Sequence, residues 1–324
     1  MEREFTQGIG GFIKLLRENI GITQKELAGE DHTYICSVRE LQRIESGEKS
    51  PQPQIMSQLL GVFGKNMSDY EAYLNKTTKM RFDNEYEEIT NIIFDTHYKL
   101  AKEKCELLKS NGEGNGYYNK ENVYYKKHLL CLQATLEMYD GKDYVKAIGI
   151  IREALEINLN ERLLDEIKKG IPSEKEVILN LIDYRLFSVW ALLEFNMGAL
   201  LESIEIQRYM IKKLKDNSIQ VWVRVKVLPY IYNNLAQSLN ANKAYEEASL
   251  LCDEGIEMCR KSGYMKIIPL IYYKKGIALY HMEDIEGAHA CFRMSESIFM
   301  QLGDIARAKN CRIDSEEKYK MCWS

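Results

Sequence analysis

Thr23, Gln24 and Glu26 stand at the start of a short amphipathic segment, and all three are residue types that act on helix ends. Thr23 with Glu26 three residues later has the spacing of a capping box, in which each side chain binds the backbone N–H of the other residue. Gln24 then lies at the helix N-terminus, where unpaired N–H groups and the positive end of the helix dipole favour an anion. This pattern predicts phosphate binding.

Patterns typical of catalysis or metal binding are not found in the sequence. The five histidines are scattered, and His281 and His289 have no cysteine or carboxylate at the spacing of metal ligands. No GxSxG, P-loop or GxGxxG motif occurs, and the glycines at 8, 10 and 11 are not preceded by a strand. We therefore expect no enzyme activity, no metal and no other cofactor.

Three short helices are predicted around Thr23. The first ends at Gly21, a residue suited to the left-handed conformation that closes a helix. The third runs from about Ser37 to Ser46 and has Leu41 and Ile44 on its inner face. A further helix is predicted at Gln54–Phe63. The third helix directs its polar side chains outward or along its flank.

This segment resembles the helix-turn-helix domains of the phage-repressor and Cro class. The matching residues form a TQxxLA stretch, from Thr23 to Ala28, and an RIESG…SP stretch, from Arg43 to Pro51. The resemblance implies that the third helix docks in the DNA major groove. It also implies an ion pair between Arg17 and Glu45. The residues implied to contact base edges are Val38, Arg39 and Arg43, and those implied to contact phosphates are Gln24, Ser37 and Lys49.

Charge limits how this domain would bind DNA. Residues 1–66 contain eight basic and nine acidic side chains, with Glu30 and Asp31 in the turn before the third helix. Phosphate neutralisation supplies much of the affinity of DNA-binding proteins, so one such domain should bind weakly. Two linked domains would bind far better through effective concentration. We therefore expect a homodimer on a palindromic operator in double-stranded DNA.

The remainder of the chain repeats an apolar helix, a short turn and an amphipathic helix. Four such units begin near Cys131, Phe187, Tyr232 and Tyr272. Each has a small residue in both helices, where paired helices cross closely. The small residues are Thr135, Ala191, Ala236 and Gly276 in the first helices, and Ala147, Ser203, Ala248 and Ala288 in the second. Pro229 and Pro269 are predicted in the first turns of helices.

These units resemble tetratricopeptide repeats, with Gly276, Ala288 and Phe292 at the motif's Gly, Ala and aromatic positions. The longer spacing and the missing Trp are departures, and an irregular helical bundle is the alternative. The expected fold is all-α: an N-terminal helix-turn-helix bundle followed by a right-handed α-solenoid of tetratricopeptide-like helix pairs. Solenoids of this kind have a concave surface that binds extended peptides or partner helices.

Composition agrees with a helical protein that does not span a membrane. The 324 residues include only five prolines, and no run of 18 apolar residues occurs. The chain starts without a signal peptide and has eight cysteines without a CxxC pair, so we expect a cytoplasmic protein with reduced, packed thiols. Three parts are predicted: a DNA-binding domain at 1–66, a helical linker at 67–120 with one long helix from Phe82 to Leu108, and the repeat domain at 121–324.

The combination of a helix-turn-helix domain with tetratricopeptide-like repeats resembles the RRNPP family of peptide-responsive transcription regulators. It resembles the PlcR-type branch of that family most. The resemblance implies that the repeat domain dimerises and binds a short quorum-sensing peptide, which shifts the arrangement of the DNA-binding pair. Asn234 matches the position where the family grips the peptide backbone. Counted from the repeat register, the peptide-binding candidates are Gln133, Arg185, Asn233, Asn234, Gln237, Tyr273, Lys274 and Tyr280.

Two alternatives remain open at this point. The candidate residues on the solenoid are also the kinds found on any solvated helix face, and the tyrosines Tyr230 and Tyr232 are predicted to be packing residues. The same two-part chain also suits an adaptor whose repeats bind a partner protein rather than a peptide pheromone.

Overall fold

The computed structural model describes residues 9–29, 33–112, 118–171, 177–215, 221–263 and 265–323. These ranges hold sixteen α-helices and no β-strand, which confirms the all-α prediction. None of the helices in these ranges is both long and apolar enough to cross a membrane. The chain divides into two compact units, Met1–Glu85 and Tyr86–Ser324. The three-part division at residues 66 and 120 stays a prediction.

The first unit is a small bundle built on short helices. Its helices are α1 (Ile9–Ile20), α2 (Gln24–Ala28), α3 (Val38–Glu45), α4 (Pro53–Val62) and the first part of α5 (Met67–Phe94). Its core includes these side chains, each at most 1% exposed: Ile13, Leu27, Ala28, Leu41, Ile44, Leu59 and Leu60. Gly21 ends α1 with a φ of 75°, as predicted.

Helices α1 and α3 cross with their backbones in contact. A Cβ placed on Gly10 would lie 1.7 Å from the carbonyl oxygen of Ile44, so only glycine fits at this crossing. Phe12 packs on the other side of α1, where its ring stacks on Tyr73 with centroids 4.7 Å apart. The direction of α3 is therefore fixed by backbone contact with α1.

The second unit is a stack of helix pairs. After the end of α5 it comprises α6 (Tyr98–Ser110), α7 (Val123–Leu136), α8 (Tyr144–Glu156), α9 (Glu161–Lys168), α10 (Leu181–Asn196), α11 (Leu200–Leu214), α12 (Val221–Ala241), α13 (Tyr245–Ser262), α14 (Ile268–His281), α15 (Ile285–Gln301) and α16 (Ile305–Tyr319). The pairs are α7 with α8, α10 with α11, α12 with α13 and α14 with α15. The first helices α7, α10, α12 and α14 also contact one another in that order, which is the arrangement of an α-solenoid.

Small residues lie where the paired helices cross. Ala147, Ser203, Ala248 and Ala288 are all fully buried. A Cβ on Gly276 would lie 2.6 Å from the ring of Phe292, so α14 and α15 approach more closely there than any larger residue permits. The repeat prediction is confirmed. The extra helix α9 lies between the first two pairs, which explains why 56 residues separate Ala147 from Ser203, compared with 45 and 40 residues between the later small residues.

Two local predictions are wrong. The long helix expected from Phe82 to Leu108 is two helices, because the chain breaks at Asp95–His97, where Thr96 has a φ of 64°. Pro229 lies inside α12 rather than in its first turn, because α12 begins eight residues earlier at Val221. Pro269 does lie in the first turn of α14, as predicted.

Seven of the eight cysteines are buried and unpaired, and Cys322 is exposed. Burial raises the pKa of each buried thiol, for example to about 12 at Cys252 and about 11 at Cys259 and Cys311. A thiol with such a pKa stays protonated at neutral pH, so these side chains act as small apolar packing groups.

A buried ion pair joins the first two repeats. Lys127 of α7 and Asp183 of α10 are 1% and 0% exposed, and Lys127 Nζ lies 2.5 Å from Asp183 Oδ1. Lys127 also donates to the side chain of Asn158, which follows α8. Asp183 accepts from the backbone N–H of Asn180 at 3.0 Å and so caps α10. The pair holds α7, α8 and α10 in one register.

We predict that Asp183→Asn destabilises the second unit by about 3–5 kcal/mol, because it leaves the buried Lys127 ammonium uncompensated. Urea unfolding followed by tryptophan fluorescence measures this change. Glu166→Gln is the matched control, since it removes an i,i+4 pair to Arg162, a side chain 87% exposed, and should change stability by less than about 0.5 kcal/mol. Equal stability of the two variants would contradict the prediction.

Candidate functional site

The helix-turn-helix geometry begins with the cap of α2. The N–H of Glu26 donates to Thr23 Oγ1 at 3.2 Å, and the N–H of Thr23 donates to Glu26 Oε2 at 2.6 Å. This is the predicted capping box. The hydrogen bond from the Thr23 backbone lowers the pKa of Glu26. The start of α2 is therefore fixed, with Gln24 as its first residue.

The turn between α2 and α3 is tied to the end of α2. The N–H of Ile35 donates to the carbonyl of Ala28 at 2.9 Å, and Cys36 is buried against the core. Ser37 then caps α3, because its hydroxyl accepts from the N–H of Glu40 at 3.1 Å. The acidic pair predicted in this turn, at 30 and 31, lies outside the described residues.

A network of charged and amide side chains fixes α3 against α1 and α2. Arg17 donates to both carboxylate oxygens of Glu45, at 2.7 and 2.9 Å, and Glu45 is only 3% exposed. Gln24 donates to the same carboxylate at 2.8 Å and accepts from Gln42 at 3.2 Å. The hydrogen bond to Glu45 raises the pKa of Arg17. The predicted pair is confirmed, and Glu45 and Gln42 together occupy both ends of the Gln24 amide.

The outer face of α3 carries two exposed arginines. Arg39 and Arg43 are one helical turn apart, so they project from the same face, with exposed Gln42 beside them. Arg43 has a long contact of 3.7 Å with Glu48, and both side chains are more than half exposed. Such a contact is weak enough to be exchanged for a nucleic-acid group.

The other residues predicted to contact DNA differ in exposure and in how far their side chains are already engaged within the protein. Val38 is half-buried and packs against the core, so only part of its side chain faces outward. Ser37 is exposed, although its hydroxyl already caps α3. Lys49 forms an ion pair with Glu40, and its side chain is 39% exposed. Arg39 and Arg43 are therefore the two candidates with the most available donors.

We predict that Arg17→Met lowers the stability of the first unit by about 2–3 kcal/mol, because the buried Glu45 carboxylate loses its charged partner. Hydrogen–deuterium exchange should show faster exchange in α1 to α3. Arg43→Met is the control, since it removes an exposed arginine and should leave that exchange unchanged. Indistinguishable exchange in the two variants would count against this role of Arg17.

The groove face of the solenoid follows from helix geometry. Thr135, Ala191, Ala236 and Gly276 face the second helices, and a residue two positions earlier is rotated by about 200° about the helix axis. The residues at those positions are Gln133, Val189, Asn234 and Lys274. All four are half-buried. We refer to these four residues as the groove row, and they include three predicted peptide contacts.

Amide side chains are concentrated on α12. Asn233 is 9% exposed, and its Nδ2 donates to Asn234 Oδ1 at 3.0 Å. The Nδ2 of Asn240 donates to the carbonyl of Lys274 at 2.9 Å. The Oδ1 atoms of Asn233 and Asn240 are buried and accept no hydrogen bond from the described residues. Gln237 is half-buried beside them. Buried acceptors of this kind are costly unless a further donor reaches them.

Arg185 is already neutralised within the second unit. It forms an ion pair with Glu87 near the end of α5, and its guanidinium lies 5.1 Å from the ring centre of Tyr86. Burial alone lowers the pKa of Arg185, but its interactions with Tyr86 and Glu87 outweigh burial and raise it. Arg185 therefore holds α10 to α5, and a ligand would have to compete with Glu87 for it.

The two predicted tyrosine contacts lie in an aromatic cluster near the C-terminus. Tyr273 packs on Phe292 with ring centres 5.3 Å apart, and its hydroxyl donates to Asp314 at 3.4 Å. Burial raises the pKa of Tyr273. Tyr280 meets Tyr319 edge to face at 5.2 Å. Much of both side chains is used in packing against α16.

Tyr230 is an additional groove candidate that the sequence reasoning missed. Tyr232 is buried as predicted, but Tyr230 is 39% exposed. Tyr230 follows Arg185 by 45 residues, the spacing that also separates Ala191 from Ala236, so it occupies the equivalent position of its repeat. The repeat spacing was the signal that could have identified it.

Comparison with known proteins first identifies the class of the N-terminal domain. Residues 13–70 match the family model described as helix-turn-helix, so α1 to α4 form a domain of that class. A search of curated protein sequences finds no significant match.

Solved structures then extend the likeness to nearly the whole chain. PlcR of Bacillus thuringiensis in complex with the peptide PapR7 and DNA has a TM-score of 0.62 at 20% identity, over 94% of this chain and 98% of that one. Its apo form has a TM-score of 0.65 at 19% identity, over 94% and 97%. The competence regulator ComR of Streptococcus vestibularis with its signalling peptide XIP has a TM-score of 0.51 at 15% identity, over 95% and 97%. At these identities the likeness establishes the fold.

Proposed function

We propose that this protein is a sequence-specific DNA-binding transcription regulator whose repeat domain binds a short signalling peptide. One observation carries the proposal: a single chain contains both α3, which is held in place by α1 and α2 and exposes two arginines, and a solenoid groove with amide oxygens that lack hydrogen-bond partners among the described residues. PlcR, whose fold extends over 94% of this chain, has been crystallised with both a peptide and DNA. We further propose that the protein acts in the cytoplasm, without catalysis or a cofactor.

DNA recognition rests on α3. Arg39 and Arg43 each present a guanidinium fork that matches O6 and N7 of guanine, and Val38 reaches a thymine methyl with the exposed part of its side chain. Ser37, Lys49 and the N-terminus of α2 at Gln24 contact phosphates and position the domain. Because the domain carries almost no net charge, two copies in a homodimer act together on a palindromic site.

Peptide recognition rests on the groove row and the amides of α12. The unsatisfied Oδ1 atoms of Asn233 and Asn240 accept from peptide N–H groups, and Asn234 and Gln237 donate to peptide carbonyls. Gln133 extends this surface to α7. Arg185, Tyr273, Lys274 and Tyr280 are the remaining proposed contacts.

Regulation is a population shift. A peptide changes the dimer only if it binds one arrangement of the DNA-binding pair better than the other. Helix α5 belongs to both units, since it runs from Met67 to Phe94 and the division lies at Glu85. The contact of Arg185 with Glu87 links α10 of the repeat stack to this helix. We propose α5 as the element that transmits peptide binding.

We predict that Arg39→Ala and Arg43→Ala each reduce discrimination between the protein's own promoter-region DNA and unrelated DNA by about 1–3 kcal/mol. Fluorescence anisotropy at several salt concentrations measures the specific and non-specific affinities. Arg162→Ala, which removes an exposed arginine of α9, is the control and should bind as the wild type does. Absence of specific binding in the wild type at every salt concentration would favour a protein-binding adaptor.

We predict that Asn234→Ala weakens peptide binding by about 5- to 100-fold, because a peptide group loses its hydrogen-bond partner in a partly buried site. Isothermal titration with synthetic peptides from open reading frames next to the gene measures this loss. Asn242→Ala, in the exposed turn after α12, is the matched control. Unchanged affinity of the Asn234 variant would remove this residue from the site.

A further inference from the structure

Lys274 is a half-buried cation without a carboxylate partner. No carboxylate oxygen of the described residues lies within 4 Å of its ammonium, and its Nζ lies 5.9 Å from the centre of the Tyr273 ring. The neighbouring Lys275 differs, since its Nζ lies 2.5 Å from Asp253. The buried Lys127 is likewise paired, with Asp183. Lys274 therefore differs from Lys127 and Lys275, which both have a carboxylate partner.

The charges around Lys274 do not neutralise it. Burial lowers its pKa, and Lys318 of α16 lowers it further, whereas Cys252 and Asp314 act in the opposite direction. Asp314 is engaged elsewhere, because Lys318 lies 3.0 Å from its carboxylate and Tyr273 donates to it at 3.4 Å. An enclosed ammonium without a counter-charge costs stability, so its presence calls for a reason outside packing.

The surroundings of Lys274 suit a carboxylate, either at the C-terminus of a peptide or on one of its acidic side chains. Lys274 belongs to the groove row, one repeat after Asn234. Asn240 binds the carbonyl of Lys274, and its own Oδ1 is a buried acceptor that receives no hydrogen bond from the described residues. A carboxylate with an adjacent N–H supplies both a counter-charge for Lys274 and a donor for Asn240. Arg185 offers no such place, because Glu87 already neutralises it.

We propose that Lys274 binds a carboxylate of the peptide ligand, so that the ligand is either an acidic peptide or one held by its C-terminus. This inference rests on the proposed function. It assigns the ligand's negative charge to Lys274 and not to Arg185, whose own charge is already paired with Glu87.

The first test needs no ligand. Lys274→Met keeps the length of the side chain and removes the uncompensated charge, so the variant should have a higher melting temperature than the wild type. Lys275→Met is the matched control, because it breaks the pair with Asp253 and should leave the melting temperature unchanged or lower. A lower melting temperature of the Lys274 variant would show that its ammonium is needed for the fold, and would overturn the proposal.

The second test identifies the ligand chemistry. The full-length protein is mixed with random heptapeptide libraries that have a free or an amidated C-terminus, and bound peptides are sequenced. Enrichment of Asp and Glu in both libraries indicates a side-chain carboxylate, and binding restricted to the free library indicates the C-terminus. Lys274→Met should then bind the selected peptides about 10- to 100-fold more weakly, whereas Lys274→Arg and Lys275→Met retain most of the affinity.

The outcomes separate this inference from the proposed function. Peptides selected without a carboxylate, or bound equally by Lys274→Met, would overturn the role of Lys274 and leave peptide binding intact. A wild-type protein that retains no peptide from either library would overturn peptide binding itself, and with it the inference.

Discussion

Close backbone contact between helices is possible only where a side chain is absent or very small, and both units depend on this constraint. In the first unit Gly10 allows α1 to touch the backbone of α3 at Ile44, which sets the direction of α3. In the second unit Gly276 leaves room for the ring of Phe292, and small buried residues lie at the crossings of the other helix pairs. A rigid α3 and a regular groove face are both consequences of these crossings.

The charged side chains fall into two groups, those enclosed in ion pairs between helices and those left exposed. Arg17 with Glu45 and Lys127 with Asp183 are enclosed pairs whose partners come from different helices, and each fixes the register of the elements it joins. The two exposed arginines of α3 are held only weakly, so they remain available. Lys274 has the burial of a structural residue but lacks the partner that a structural residue would have.

Local signals in the sequence predicted much of this arrangement. The capping box at Thr23, the turn at Gly21 and the small residues of the repeats are short-range patterns, and the structure has all of them. The break at Thr96 was missed because the apolar spacing continues across it. The pairing of Arg185 with Glu87 was also missed, since these residues are 98 positions apart and only the folded repeats bring them together. Sequence periodicity describes single helices and does not indicate which side chains of distant segments pair in the folded protein.

The distribution of thiols has a practical consequence. Seven cysteines are buried and burial raises the pKa of each thiol, so at neutral pH a maleimide dye reacts chiefly with the exposed Cys322. The natural chain thus carries a single labelling position next to Trp323, whose indole N–H donates to Ser315 at 3.2 Å. Mixed donor- and acceptor-labelled chains would report by energy transfer whether two chains associate, with no engineered cysteine.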